Sequence, residues 1–181
     1  MTSLLTRLRS GWRALRGHFW ASLAFDVVLI MLVFILVHAW QTRDLPKDDH
    51  TPSLELTWLD DRRADSVMVA GQTGVIYFFA PWCFYCKKSI DNLDELVASG
   101  DLSWARVVAL DYGSLDEVRE FITETRVSLP VLLGNSQTSY DWQIRAFPTY
   151  FVIDGDGQIA SRSVGYSTKI GLKARLWLNK N

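Results

Sequence analysis

Cys83 and Cys86 are the only two cysteines of the chain, and they sit in the run Trp82-Cys83-Phe84-Tyr85-Cys86. The apolar stretch Val75 to Ala80 before them is short, aromatic-rich and bounded by Gly74 and Pro81, the signature of a buried strand. After them Cys86, Ile90, Leu93 and Val97 recur at helical spacing and Gly100 closes the run, which predicts one helix up to that glycine. Both sulfurs therefore belong to a strand-to-helix turn. Cys83 falls where free N–H groups and the helix dipole stabilise a thiolate, and Cys86 falls one turn in, on the stripe facing the core. One activated, accessible sulfur beside a shielded partner is the arrangement that thiol–disulfide exchange needs. A zinc site would require two further ligands, yet His18, His38 and His50 all lie in or near the N-terminal segment, so no metal is assigned. A purely structural bridge is disfavoured because so short a loop removes little entropy from the unfolded chain.

The elements that must hold this turn can be read around it. Leu54 to Leu59 suggests a first strand, with Asp60-Asp61 turning toward a weak second one, and Trp104 to Leu110 reads as a buried strand. Ser114-Leu115-Asp116-Glu117 has the form of a capping box opening a helix with Val118, Phe121, Ile122 and Thr125 on one face. Pro130 to Leu133 is a short apolar piece and Thr138 to Arg145 a short helix. Thr149 to Ile153 and Gln158 to Val164 flank Asp154-Gly155-Asp156-Gly157, a hairpin signal. That turn is not a calcium loop: with Gly157 at loop position 6, Val152 and Ser163 would stand where carboxylates are required. Ser167 or Thr168 can cap a last helix through Trp177, with Leu172 and Leu176 inward and Lys169, Lys173 and Lys180 outward. The expected fold class is α/β, a central mixed sheet with helices on both faces.

An appendage precedes this domain. Phe19 to Trp40 is almost wholly apolar and as a helix would span roughly 33 Å, enough for a bilayer. Arg7, Arg9, Arg13 and Arg16 precede it with no acid among them, so the positive-inside rule keeps the N-terminus in the cytoplasm and exports the residues after Trp40. The stretch is longer than the apolar core of a cleaved signal peptide. Asp26 lies within two turns of the cytoplasmic end, where it can reach the interface. The reading divides the chain into a basic leader (1–18), a transmembrane anchor (19–40), a polar, proline-punctuated linker (41–53) and a redox domain (54–181). Lys plus Arg number 19 against 20 Asp plus Glu, and the domain itself is mildly acidic, so nothing suggests a nucleic-acid partner.

Phe79-Ala80-Pro81-Trp82-Cys83-Phe84-Tyr85-Cys86 together with Phe147-Pro148-Thr149-Tyr150-Phe151-Val152-Ile153-Asp154-Gly155 resembles the thioredoxin superfamily over roughly residues 54–178. With its anchor, the chain looks like the membrane-tethered, periplasm-facing branch of TlpA-like proteins and cytochrome c maturation reductases. Its ending, Val164-Gly165-Tyr166-Ser167 through Leu172 to Trp177, is similar to the thioredoxin-like protein of the suppressor-of-copper-sensitivity group. The resemblance implies a thioredoxin fold, Cys83 as nucleophile, Cys86 as resolving thiol, Trp82 as a shield and Pro148 in cis, offering the backbone of Phe147 to an incoming chain. It also implies no cofactor beyond the redox-active Cys83–Cys86 pair. Three features depart from the family pattern. Phe84-Tyr85 replaces the usual dipeptide, Tyr77 stands six residues before Cys83 where thioredoxins keep a buried acid, and Phe147 replaces a small or β-branched residue.

The expected activity is thiol–disulfide exchange with periplasmic proteins bearing thiols or disulfides, as a reductase at the bacterial inner membrane. A reductase in an oxidising compartment must be recharged, which implies a DsbD-like membrane electron donor. Phe147 is expected beside Phe84 or Tyr85, narrowing the approach to the sulfur, and Lys87 and Lys88 are candidate aids to the thiolate. The alternatives are a cytochrome c maturation thiol reductase, although Thr149 follows the proline where such proteins tend to carry an acid, and a Cu(I) metallochaperone, which lacks Met or His near the cysteines.

Overall fold

The computed structural model describes residues 3–46, 51–52, 56–59 and 67–178. The chain divides into two compact units, one ending at Arg43 and the other beginning at Asp44.

The first unit is a single helix, α1 (Ser3–Thr42). Its stretch Ser22–Thr42 has a mean hydropathy of 2.5 and is long and apolar enough to cross a membrane. Phe25, Ile30, Phe34 and Trp40 project outward around it, each more than 60% exposed. A helix apolar on every side has no soluble face of its own.

The second unit is a six-stranded mixed sheet with helices on both faces. Its elements are β1 (Thr57–Trp58), β2 (Gly74–Phe79), α2 (Phe84–Ser89), α3 (Asp91–Ala98), β3 (Trp104–Ala109), α4 (Leu115–Thr125), β4 (Val131–Leu133), α5 (Ser136–Asp141), β5 (Thr149–Ile153), β6 (Ile159–Val164) and α6 (Lys169–Leu178). The strand order is β1-β4-β3-β2-β5-β6. β2, β3 and β4 run parallel, while β5 lies antiparallel to β2, β6 to β5 and β1 to β4. All six residues of β2 are buried, as a central strand covered on both faces requires.

Alternation along β2 separates two core layers. Val75, Tyr77 and Phe79 pack with Cys86, Ile90, Leu93, Phe121, Leu172 and Leu176. Ile76 and Phe78 face the opposite layer with Trp104, Val108, Trp142 and Phe151. Gly74 begins β2 opposite Trp104, and a Cβ there would run into the Trp104 indole.

The β5–β6 hairpin turns where expected. Asp154 Oδ1 accepts the N–H groups of Asp156 (3.0 Å) and Gln158 (2.8 Å), and Gly157 takes φ +80°. The last helix is capped by Thr168, whose hydroxyl accepts the Gly171 N–H at 3.1 Å, and Leu172 and Leu176 do face inward. Lys169 pairs with Glu95 and Lys173 with Asp101, both at 2.7 Å.

Several boundaries differ from the sequence reading. The helix after the cysteines is not continuous: α2 stops at Ser89 and α3 starts at Asp91. Ser89 Oγ donates to the Tyr85 carbonyl (2.9 Å) and Leu93 N–H bonds to Ile90 at 3.0 Å, a three-residue step that interrupts the regular ladder. α5 starts two residues earlier than expected because Asn135 and Thr138 form a reciprocal capping box. At α4, Ser114 accepts the Glu117 N–H at 3.4 Å, but Glu117 reaches back to the Gly113 N–H rather than to the cap. Of the first expected strand, Thr57 and Trp58 pair with β4. Residues 53–55, the Asp60-Asp61 turn with the weak second strand, and Lys180 lie outside the described residues.

Candidate redox site

β2 ends at Phe79, and the turn Ala80-Pro81-Trp82 is closed by the Cys83 N–H on the Ala80 carbonyl at 3.0 Å. Cys83 then serves as N-cap of α2, with extended backbone and its Sγ accepting the Cys86 N–H at 3.1 Å. A cap is normally an oxygen. Here the sulfur takes that role, and the same N–H would stabilise a thiolate once the bond is reduced. Cys83 and Cys86 are joined as a disulfide with Cα atoms 5.2 Å apart.

The accessibility expected for Cys83 is corrected. It is only 5% exposed, and Cys86 is fully buried. The exposed groups are the aromatics beside them: Trp82 (64%), Phe84 (65%) and Tyr85 (61%). Trp82 is held from both sides, its Nε1–H donating to the Asp111 carbonyl at 3.0 Å and its ring meeting Phe147 edge-on at 5.8 Å. Asp111 presents that carbonyl from a left-handed backbone conformation, φ +50°. Phe84 and Tyr85 pack on each other at 5.6 Å. Phe147 is thus Trp82's partner and not the neighbour of Phe84 or Tyr85 that was expected. The reason is that Phe84 and Tyr85, in the first turn of α2, satisfy one another.

The Phe147–Pro148 peptide bond is cis, as the resemblance implies. It precedes β5, whose pairing with β2 ends at Thr149 opposite Phe78, so Phe147 lies beyond the ladder. The Pro148 carbonyl is occupied by the Gly165 N–H at 2.7 Å. Beside Phe147 opens a groove of about 600 Å³ lined by Asp111, Tyr112, Asn135, Ser139 and Arg145 among others.

The two candidate lysines do not serve the sulfur. Lys87 is paired with Glu124, and Lys88 lies over the Phe84 ring at 5.9 Å. No buried acid or histidine occurs among the described residues of the core; its buried polar side chains there are hydroxyls, Ser89, Thr138, Thr149 and Ser163. Tyr77, one of the departures noted in the sequence, is buried on the Cys86 side of the sheet with its hydroxyl 2.6 Å from that of Ser89. Burial pushes its pKa up, against the smaller opposing effect of the Ser89 hydrogen bond. This pair escaped the sequence reading, although Ser89 at three residues beyond Cys86 shares its inward face.

Comparison with known proteins agrees with this geometry. A thiol-disulfide oxidoreductase ResA from Bacillus thuringiensis (strain Al Hakam) is 25% identical over 127 residues, covering 69% of this chain and 73% of its own. The thiol:disulfide interchange protein CycY of Rhizobium leguminosarum bv. viciae is 29% identical over 111 residues, 60% of this chain and 58% of its own. Among solved structures, a DsbE thiol:disulfide interchange protein from Chlorobium tepidum superposes with a TM-score of 0.65 at 21% identity, covering 75% of this chain and 99% of that one. The family pattern itself matches residues 48–162, a span that holds both cysteines and the cis-proline, and the chain belongs to the AhpC/TSA family.

Proposed function

We propose that the protein is a membrane-tethered thiol–disulfide oxidoreductase that reduces disulfides of periplasmic proteins through Cys83 and Cys86. The observation that carries this reading is the Cys83 sulfur at the start of α2, hydrogen-bonded by the Cys86 N–H and next to the aromatic pair Trp82–Phe147 of the cis-proline loop. In the reduced protein the Cys83 thiolate attacks a substrate disulfide. A Cys83–substrate disulfide forms and one substrate thiolate leaves. That departing thiolate takes the Cys86 proton, and the Cys86 thiolate then attacks Cys83; the Cys83–Cys86 bond closes and the second substrate thiolate leaves, so two electrons have passed to the substrate. Phe147 lies beyond the strand ladder and offers backbone to an extended substrate segment.

What stabilises the reduced form supports this direction. Strong oxidants owe their power to a heavily stabilised thiolate. Here one backbone N–H faces Cys83, while Lys87 and Lys88 are engaged elsewhere. That favours a reductase, recharged by a DsbD-like membrane donor of two electrons.

The reduction potential against glutathione tests the direction. A value near about −270 mV supports a reductase, and one near about −120 mV would reverse the assignment. A reporter fused after Asn181 tests topology: activity outside the cytoplasm is expected, and activity only inside would overturn the exported reading.

A further inference from the structure

The polar stretch after the apolar helix is partly built into the domain. Leu45 is buried, 5% exposed, in the core layer of Trp142, Ile144 and Phe151. Asp44 forms an ion pair with Arg145 at 2.7 Å, and the Pro46 carbonyl accepts a hydrogen bond from Arg162 Nη1 at 2.8 Å. One core side chain flanked by arginine contacts from two separate parts of the fold makes residues 44–46 a docked strap.

Its place of attachment matters. Arg145 lies two residues before Phe147, lines the same groove, and Phe147 touches Trp82 beside Cys83. Further along, the Thr51 hydroxyl reaches the Gly157 carbonyl. Gly157 belongs to the β5–β6 turn, at the opposite end of β5 from the cis-proline. Within the domain, residues 44–46 therefore contact the part of the fold that leads into the cis-proline loop, and Thr51 contacts the turn at the other end of β5. A loose linker running to residue 54 would have imposed no such order. Only Arg43 separates Asp44 from Thr42, the last residue of the apolar helix, and two residues reach at most about 7 Å.

Building on the tethered-oxidoreductase reading, we infer that the preferred substrates are disulfides of polypeptides held at the membrane surface rather than freely diffusing ones. With residues 44–46 docked on the domain, only Arg43 is left as free tether after the apolar helix, and so short a tether keeps the domain, and Cys83 with it, at high effective concentration toward groups on the same bilayer.

The test uses the full-length protein, reduced and reconstituted in phosphatidylethanolamine–phosphatidylglycerol vesicles. The probe is one peptide with a single intramolecular disulfide, either linked to a lipid headgroup in those vesicles or free in solution. The lipid-linked form is expected to be reduced at least about tenfold faster at equal bulk concentration. A Gly-Ser segment of about 20 residues inserted between Arg43 and Asp44 should cut that advantage at least about threefold and leave the free-peptide rate unchanged. The double variant Asp44→Asn, Leu45→Ser should act the same way; if it fails to fold, the insertion, which leaves the domain untouched, decides. Equal rates for the two peptides, or a ratio unmoved by the insertion, overturn this inference alone. Reduction of neither peptide overturns the oxidoreductase reading, failure to enter the vesicles overturns the tether, and either takes this inference with it.

Discussion

The Tyr77 hydroxyl lies 2.6 Å from the Ser89 hydroxyl. Ser89 spends its own proton on the Tyr85 carbonyl at 2.9 Å, so Tyr77 donates to Ser89. The bond ties the middle of β2 to the last turn of α2, the turn that carries Cys86, and it coincides with the break between α2 and α3. Tyr77→Phe should lower stability by about 0.5–1.5 kcal/mol, the usual net value of such a bond. Urea unfolding at pH 7 measures it.

The same residue gives the domain an alkaline dependence. Burial raises the Tyr77 pKa above its ordinary value, which is about 10 in an unfolded chain. The folded state then keeps a proton that the unfolded chain releases. Stability due to this group is intact below about pH 10 and falls as pH rises above it, by at most about 1.4 kcal/mol per pH unit. Tyr77→Phe should flatten the stability profile above that pH. An unchanged slope would show that Tyr77 is not the group responsible.

The two sulfurs should titrate apart. With the Cys86 N–H on its Sγ, Cys83 should have a pKa below the free-thiol value of about 8.5 in the reduced domain, while Cys86, in an apolar core, should stay protonated at neutral pH. Alkylation against pH, read residue by residue, checks this. Cys86→Ala should accumulate mixed disulfides through Cys83, and Cys83→Ala should abolish exchange. Faster alkylation of Cys86 would reverse the assignment of nucleophile.

Gly74 faces the Trp104 ring across the β2–β3 pair, with no room for a Cβ. Trp104 cannot simply swing away, because it is 4% exposed and its Nε1–H is bound to the Gln72 carbonyl at 3.0 Å. Gly74→Ala should therefore cost about 1–3 kcal/mol, the range for overpacked cores. A urea midpoint equal to that of the parent would disprove the clash.

Much of the site was legible because its elements are local. The strand before Cys83 and the helical stripe from Cys86 through Leu93 follow from periodicity, and the Asp154–Gly157 hairpin follows from turn chemistry. What escaped depends on contacts distant in sequence. Nothing in Ser89 announces a break in the helix until Tyr77 arrives from β2 to hold it. Leu45 sits alone among polar residues and prolines, so composition reads as linker, and only Trp142 and Ile144 reveal its burial. The start of α5 differs for another reason: it is set by the reciprocal cap of Asn135 and Thr138, a local signal that the sequence itself carries.

Phe147 should set which substrates reach the sulfur. Its ring supports Trp82, which is fixed on the other side by the Asp111 carbonyl, and together they stand beside a Cys83 that is 5% exposed. A substrate disulfide must therefore approach in an extended segment able to lie along the cis-proline loop; a disulfide on a rigid, convex surface meets the aromatics first. Phe147→Thr removes an edge-to-face contact worth about 0.5–1.5 kcal/mol and frees Trp82 to move. The variant should reduce compact folded proteins several-fold faster while its rate with a short, flexible disulfide peptide changes little, since such a peptide already fits. Rates measured across a panel of both kinds decide it. A panel left unchanged would remove Phe147 from any part in selectivity, and a uniform rise would mean that the ring limits access to Cys83 without discriminating among substrates.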